Sequence, residues 1–107
     1  MTDRELLELA AKAAGIKIPK PNPWFTYDEA YGFMWMNMDG RAVEKKWNPL
    51  ADDGDAFRLA VRLRMIVTPG TARLLDGRVF GKDMDSIEET RRAIVRAAAE
   101  IGRNIDV

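Results

Sequence analysis

Three carboxylates fall within four residues at Asp52, Asp53 and Asp55. Such a cluster suits Mg²⁺ or Ca²⁺, hard cations that take oxygen ligands. The spacing is not that of an EF-hand loop, and no bidentate glutamate follows at the required distance. The cluster also stands immediately before an apolar pattern of helical period. There, one aspartate caps the helix and the others favour the positive end of its dipole. Capping is the role expected of Asp52, Asp53 and Asp55, with a divalent-metal site as the weaker alternative and no cofactor expected.

Other reactive side chains are few. Histidine and cysteine are both absent. That removes the usual general base near neutral pH, ordinary zinc sites and the Ser-His or Cys-His nucleophile. The only serine, Ser86, opens a helix. Gly77 and Gly81 lie beside a hairpin and lack the Lys-Ser/Thr ending of a phosphate loop.

A second group is aromatic: Trp24, Phe25, Tyr27, Tyr31, Phe33, Trp35 and Trp47. With Lys17, Lys20, Lys45 and Lys46 nearby, these rings could stack on single-stranded bases or anchor a protein interface. Filling the core beneath a proline-rich loop is the expectation preferred for the group. Trp24, Phe25, Tyr27 and Tyr31 are the candidate binding residues if the segment meets a partner.

Residues 2–14 read as a helix. Thr2 and Glu5 have capping-box spacing, Leu6, Leu9, Ala10 and Ala13 form an apolar stripe, and Gly15 ends the run. Pro19, Pro21 and Pro23 impose an extended connection over the next stretch. From residue 31 to 47 the chain reads as a hairpin about Asp39-Gly40, a two-residue turn signal. That turn places Trp35 opposite Glu44, Met34 opposite Lys45 and Met36 opposite Val43. Its first strand is apolar on both faces, which fits an interior position between layers.

The second helix follows the aspartates, with Ala56, Leu59, Ala60 and Leu63 inward and Asp55, Arg58 and Arg62 outward. Residues 65–68 read as a strand broken by Pro69-Gly70. Residues 71–81 read as a second hairpin about Asp76-Gly77, with Leu74 opposite Val79. Ser86 and Glu89 open the last helix, which runs to Ile101 before Gly102. Ile87, Ile94, Ala98 and Ile101 mark its core face.

The chain has 107 residues, enough for a single domain with a real core. Hydrophobic residues make up 47% and charged residues 32%, a globular profile. Lysine plus arginine number 17, as do aspartate plus glutamate, so nucleic acid is an unlikely partner on charge. No apolar run approaches a membrane span, and the opening residues lack the pattern of a signal peptide. A cytoplasmic setting is expected.

Three stretches together resemble a known family: ELLELAAKAAG at 5–15, WNPLADDGDAFRLA at 47–60 and RRAIVRAAAEIG at 91–102. The chain is similar to small proteins of tailed phages and prophages grouped as the phage ABA sandwich domain. The resemblance implies an α-β-α layered fold and a bacterial host cytoplasm, but no activity and no site residue. The expectation is an α+β fold, an α-β-α sandwich with a mostly antiparallel sheet and three helices. The expected function is that of a non-enzymatic accessory protein binding a host or phage protein. A small metal-dependent hydrolase using the aspartates and a weak single-stranded nucleic-acid binder are the alternatives.

Overall fold

The computed structural model describes residues 1–16, 25–28, 32–35 and 45–105. Among them the chain is α+β, with three helices and two three-stranded antiparallel sheets. The strands expected in one sheet thus divide between two. The proposed turn at Asp39-Gly40 and the proline segment lie outside the described residues.

Helix α1 spans Asp3–Ala13, and the Thr2 hydroxyl accepts the Glu5 N–H at its start. It ends in a Schellman motif: Ile16 N–H donates to the Ala11 carbonyl and Gly15 N–H to that of Lys12, with Gly15 at φ +75°. Helix α2 spans Asp53–Arg62 and closes in the same way, but its left-handed residue is Arg64, at φ +55°. Helix α3, Ile87–Arg103, starts where Ser86 Oγ accepts the Glu89 N–H. The signals at Thr2, Gly15 and Ser86 are local, so the sequence pattern and the structure agree on them, while the Arg64 closure of α2 carries no such signal.

Strands β1 (Phe25–Asp28), β2 (Gly32–Trp35) and β3 (Lys45–Trp47) form the first sheet. Trp35 pairs with Lys45 and Met34 with Lys46, one residue away from the expected partners Glu44 and Lys45. The slip is accompanied by a register irregularity at Gly32/Phe33.

Strands β4 (Ile66–Thr68), β5 (Thr71–Arg73) and β6 (Val79–Gly81) form the second sheet. Pro69-Gly70 does not merely end a strand; it is the two-residue link that folds β4 onto β5, with Thr68 opposite Thr71. In the next hairpin Leu74 meets Arg78, because Leu74 N–H donates to the Arg78 carbonyl at 2.8 Å. The expected Leu74–Val79 pairing is therefore off by one. A type I′ turn needs positive φ at both central residues, and of Asp76 and Gly77 only Gly77 has it. Gly77 N–H donates to the Leu74 carbonyl, so Leu75 joins a three-residue loop with Gly77 in the left-handed position.

Helix α3 is the hub, touching α1, α2 and all three strands of the second sheet. Ala93, Ile94, Val95, Ala97, Ala98 and Ala99 are buried around more than one side of it. Alanines let neighbouring backbones come close. Gly102 continues this role: it lies inside the helix, and a Cβ there would collide with the Leu9 carbonyl oxygen of α1. It is thus a close-approach residue and not the stop signal expected. On α1 the buried stripe is Leu6, Leu7, Ala10, Ala11 and Ala14, rotated from the expected one, with Leu9 and Ala13 only partly covered. From the first sheet, Phe33 is fully buried in the same core, with Tyr27 and Trp47 packed against it.

Candidate functional site

The three aspartates open α2, and each carboxylate is engaged in the fold. Asp52 is the N-cap, its Oδ2 accepting the Asp55 N–H at 2.8 Å. Asp53 reaches across to α3, where Arg91 Nη1 donates to its Oδ1 at 2.5 Å, and Arg91 Nε also holds the Leu50 carbonyl. Asp55 points inward instead of sharing the outer face with Arg58 and Arg62. It is 9% exposed, accepts the Asn48 N–H at 2.9 Å and takes Arg58 Nη2 at 2.6 Å. The cluster in sequence thus spreads into a cap, a helix–helix tie and a loop anchor. Among the described residues no group of three or more potential metal ligands converges.

The aromatic candidates divide in the same way. Tyr27 is partly buried, its ring 5.3 Å from that of Phe33 and covered at 5.7 Å by the Arg4 guanidinium. Phe25 is a backbone position in β1, paired with Trp35. Trp24 and Tyr31 lie outside the described residues. The structure brings Tyr27, Phe33 and Trp47 together as core packing.

Among the exposed apolar residues, which include Ile66, Leu75, Val79 and Ile87, two stand one turn apart on α2. Phe57 is 68% exposed and Val61, one turn later, 60% exposed. Single exposed apolar side chains are ordinary, but this pair borders two grooves, and apolar surface that is contiguous marks contact sites. On one side of this ridge a groove of about 360 Å³ runs between α2, β4 and the start of α3, with Met65, Val67 and Ile87 on its walls. On the other, a groove of about 440 Å³ has Trp47, Leu59 and Ile16 on its walls and Arg58 and Arg62 at its rim. Ile87, expected in the core, is 66% exposed and stands on the wall of the first groove.

A signal for this surface exists in the sequence. Phe57 and Val61 form an i, i+4 apolar pair that falls off the stripe of Ala56, Leu59, Ala60 and Leu63. An amphipathic helix needs one stripe; a second one asks for a second partner.

No family model, curated protein or solved structure matches the chain. The functional reading therefore rests on the chain's own surface. Among the described residues, no helix is long and apolar enough to cross a membrane.

Proposed function

We propose that this chain is a non-enzymatic protein-binding module whose contact surface is the outer face of α2. The observation that carries the reading is the exposure of Phe57 and Val61 as neighbours on one helix, flanked by two apolar grooves. Large apolar anchors that enter a partner supply most of the energy of protein interfaces, and aromatic rings are prominent among them. The engagement of Asp52, Asp53 and Asp55 in cap, tie and anchor supports a structural role for them over a hydrolytic one. The resemblance of three stretches to phage ABA sandwich proteins supports a phage or prophage accessory role in the cytoplasm of a bacterial host.

The test is affinity capture from host cells with the wild-type chain and with Phe57→Asp, read by mass spectrometry. A charge at an interface centre excludes a partner that an apolar ring admits. The reading expects a protein retained by the wild type and lost with Phe57→Asp, at unchanged thermal stability. Retention of the same proteins by both would move the contact surface off α2. Cleavage of a phosphoester by the wild type in Mg²⁺, lost with Asp53→Asn, would replace the reading with the hydrolase.

A further inference from the structure

The groove between α2 and α3 borders a strand edge, and the hydrogen-bond parity of the second sheet shows which groups that edge offers. Leu74 N–H donates to the Arg78 carbonyl, so along β5 the residues in step with Leu74 turn their backbone groups toward β6. Ala72 is in step with it. Thr71 and Arg73 are out of step and turn theirs toward β4, where they meet Thr68 and Ile66. Val67, between those two, therefore directs its N–H and C=O away from the sheet. The strand order β4-β5-β6 makes that side the open edge, and neither group has a hydrogen-bond partner among the described residues.

Val67 is also a wall of the groove beside Phe57 and Val61. An unpaired backbone donor and acceptor beside an apolar trough are the two elements of strand addition: main-chain bonds give affinity, and alternate side chains fill the trough. Among the described residues, the only charged side chains on the groove are Asp53 and Arg91, and they neutralise each other at 2.5 Å. The edge itself, Ile66-Val67-Thr68, carries no charge to repel an incoming strand.

Resting on the reading of α2 as a contact surface, we propose that this groove binds an extended, uncharged segment of a partner protein. The segment adds as a strand to the β4 edge opposite Val67. Its residue facing Val67 exchanges both main-chain bonds with it, and side chains at every second position enter the groove against Phe57 and Val61. The recognised pattern is an apolar residue at alternate positions across the residues that pair with the three-residue strand β4 and those flanking them.

The experiment selects a displayed heptapeptide library against the full chain and then titrates the synthetic consensus heptapeptide. Enrichment of alternating apolar sequences is expected. N-methylation of the peptide at the residue facing Val67 should weaken binding about tenfold or more, while methylation at either neighbour, whose N–H points away, changes it little. Val67→Pro, which removes only the outward donor of an edge strand, should give a similar loss. Peptide methylation leaves the protein untouched, so the test stands even if Val67→Pro does not fold. Enriched peptides with i, i+4 apolar spacing that still require Phe57 would overturn strand addition and leave the contact surface in place. Strand addition is equally overturned if no peptide is enriched while a Phe57-dependent protein is captured from cells. Absence of both would remove the contact surface as well. A dimer in light scattering that Val67→Pro abolishes would make a second copy of this chain the occupant and overturn the partner segment.

Discussion

Asp55 Oδ2 accepts the backbone N–H of Asn48 at 2.9 Å, and both residues are buried. Asn48 in turn accepts the N–H of Leu50 on its side chain and those of Ala51 and Asp52 on its carbonyl. One carboxylate therefore anchors the turn that leads into α2. Asp55→Ala leaves a buried donor without an acceptor and should lower stability by about 1–3 kcal/mol. Asp53→Ala breaks an ion pair whose carboxylate is 71% exposed and should lose less than about 1 kcal/mol. Urea unfolding of the two variants gives the comparison; equal losses would mean that Asp55 is no more than a surface charge.

The cap at Asp52 separates a structural cluster from a metal site. Asp52→Ala should lose roughly 0.5–2 kcal/mol and Asp52→Asn less, since asparagine caps well. Both losses should be the same in chelator and in excess Mg²⁺ or Ca²⁺. A melting temperature that rises with metal in the wild type, and not in Asp52→Asn, would show that the carboxylates bind a cation.

Arg64 closes α2 in the left-handed region at φ +55°, where a side chain carries a penalty of about 1–2 kcal/mol. Its side chain is exposed, so glycine forfeits little packing. Glycine's larger conformational freedom in the unfolded chain offsets part of the gain, by roughly 0.5–1 kcal/mol. Arg64→Gly should therefore raise stability by up to about 1 kcal/mol in denaturant unfolding. A loss would mean that the arginine makes contacts in solution that outweigh its backbone strain.

Thr2 and Ser86 were legible as caps because capping is decided within four residues, whereas at the start of α2 the sequence showed a capping aspartate without showing that it is Asp52. Strand partners were not, because the parity of a turn depends on one dihedral. Whether Asp76 takes positive φ decides if Leu75 belongs to the loop, and the dipeptide Asp76-Gly77 does not contain that information. Burial failed for a different reason. Asp55 reads as a surface acid until Asn48 presents it with a buried amide, and Ile87 reads as core by its spacing although it stands exposed on a groove wall. Gly102 reads as a stop in sequence, and only the backbone of Leu9 shows why no side chain fits.

Asp76 gives the turn after β5 an acid dependence. The Arg78 backbone N–H donates to its carboxylate at 3.0 Å, and the Arg78 side chain adds a second bond, so its pKa lies below the ordinary aspartate value. A depressed folded-state pKa stabilises above the unfolded value, and that contribution is lost as pH falls through the folded one. An NMR titration of the Asp76 carboxyl should show a midpoint below that of a free aspartate. A midpoint at the ordinary value would mean that the turn contact is not held in solution.

On the proposed reading, Phe57 and Val61 serve a partner and not the fold. Denaturant unfolding of Phe57→Ala, Val61→Ala and Leu59→Ala tests this most directly, because all three lie within two turns of α2 and only Leu59 is buried, at 3% exposure. Leu59→Ala should lower stability by about 2–5 kcal/mol, the range for a buried leucine. Phe57→Ala and Val61→Ala should each stay within about 0.5 kcal/mol of the wild type, as substitutions at exposed positions do. A loss for Phe57→Ala as large as that for Leu59→Ala would place the ring in the core and contradict its assignment to a contact surface.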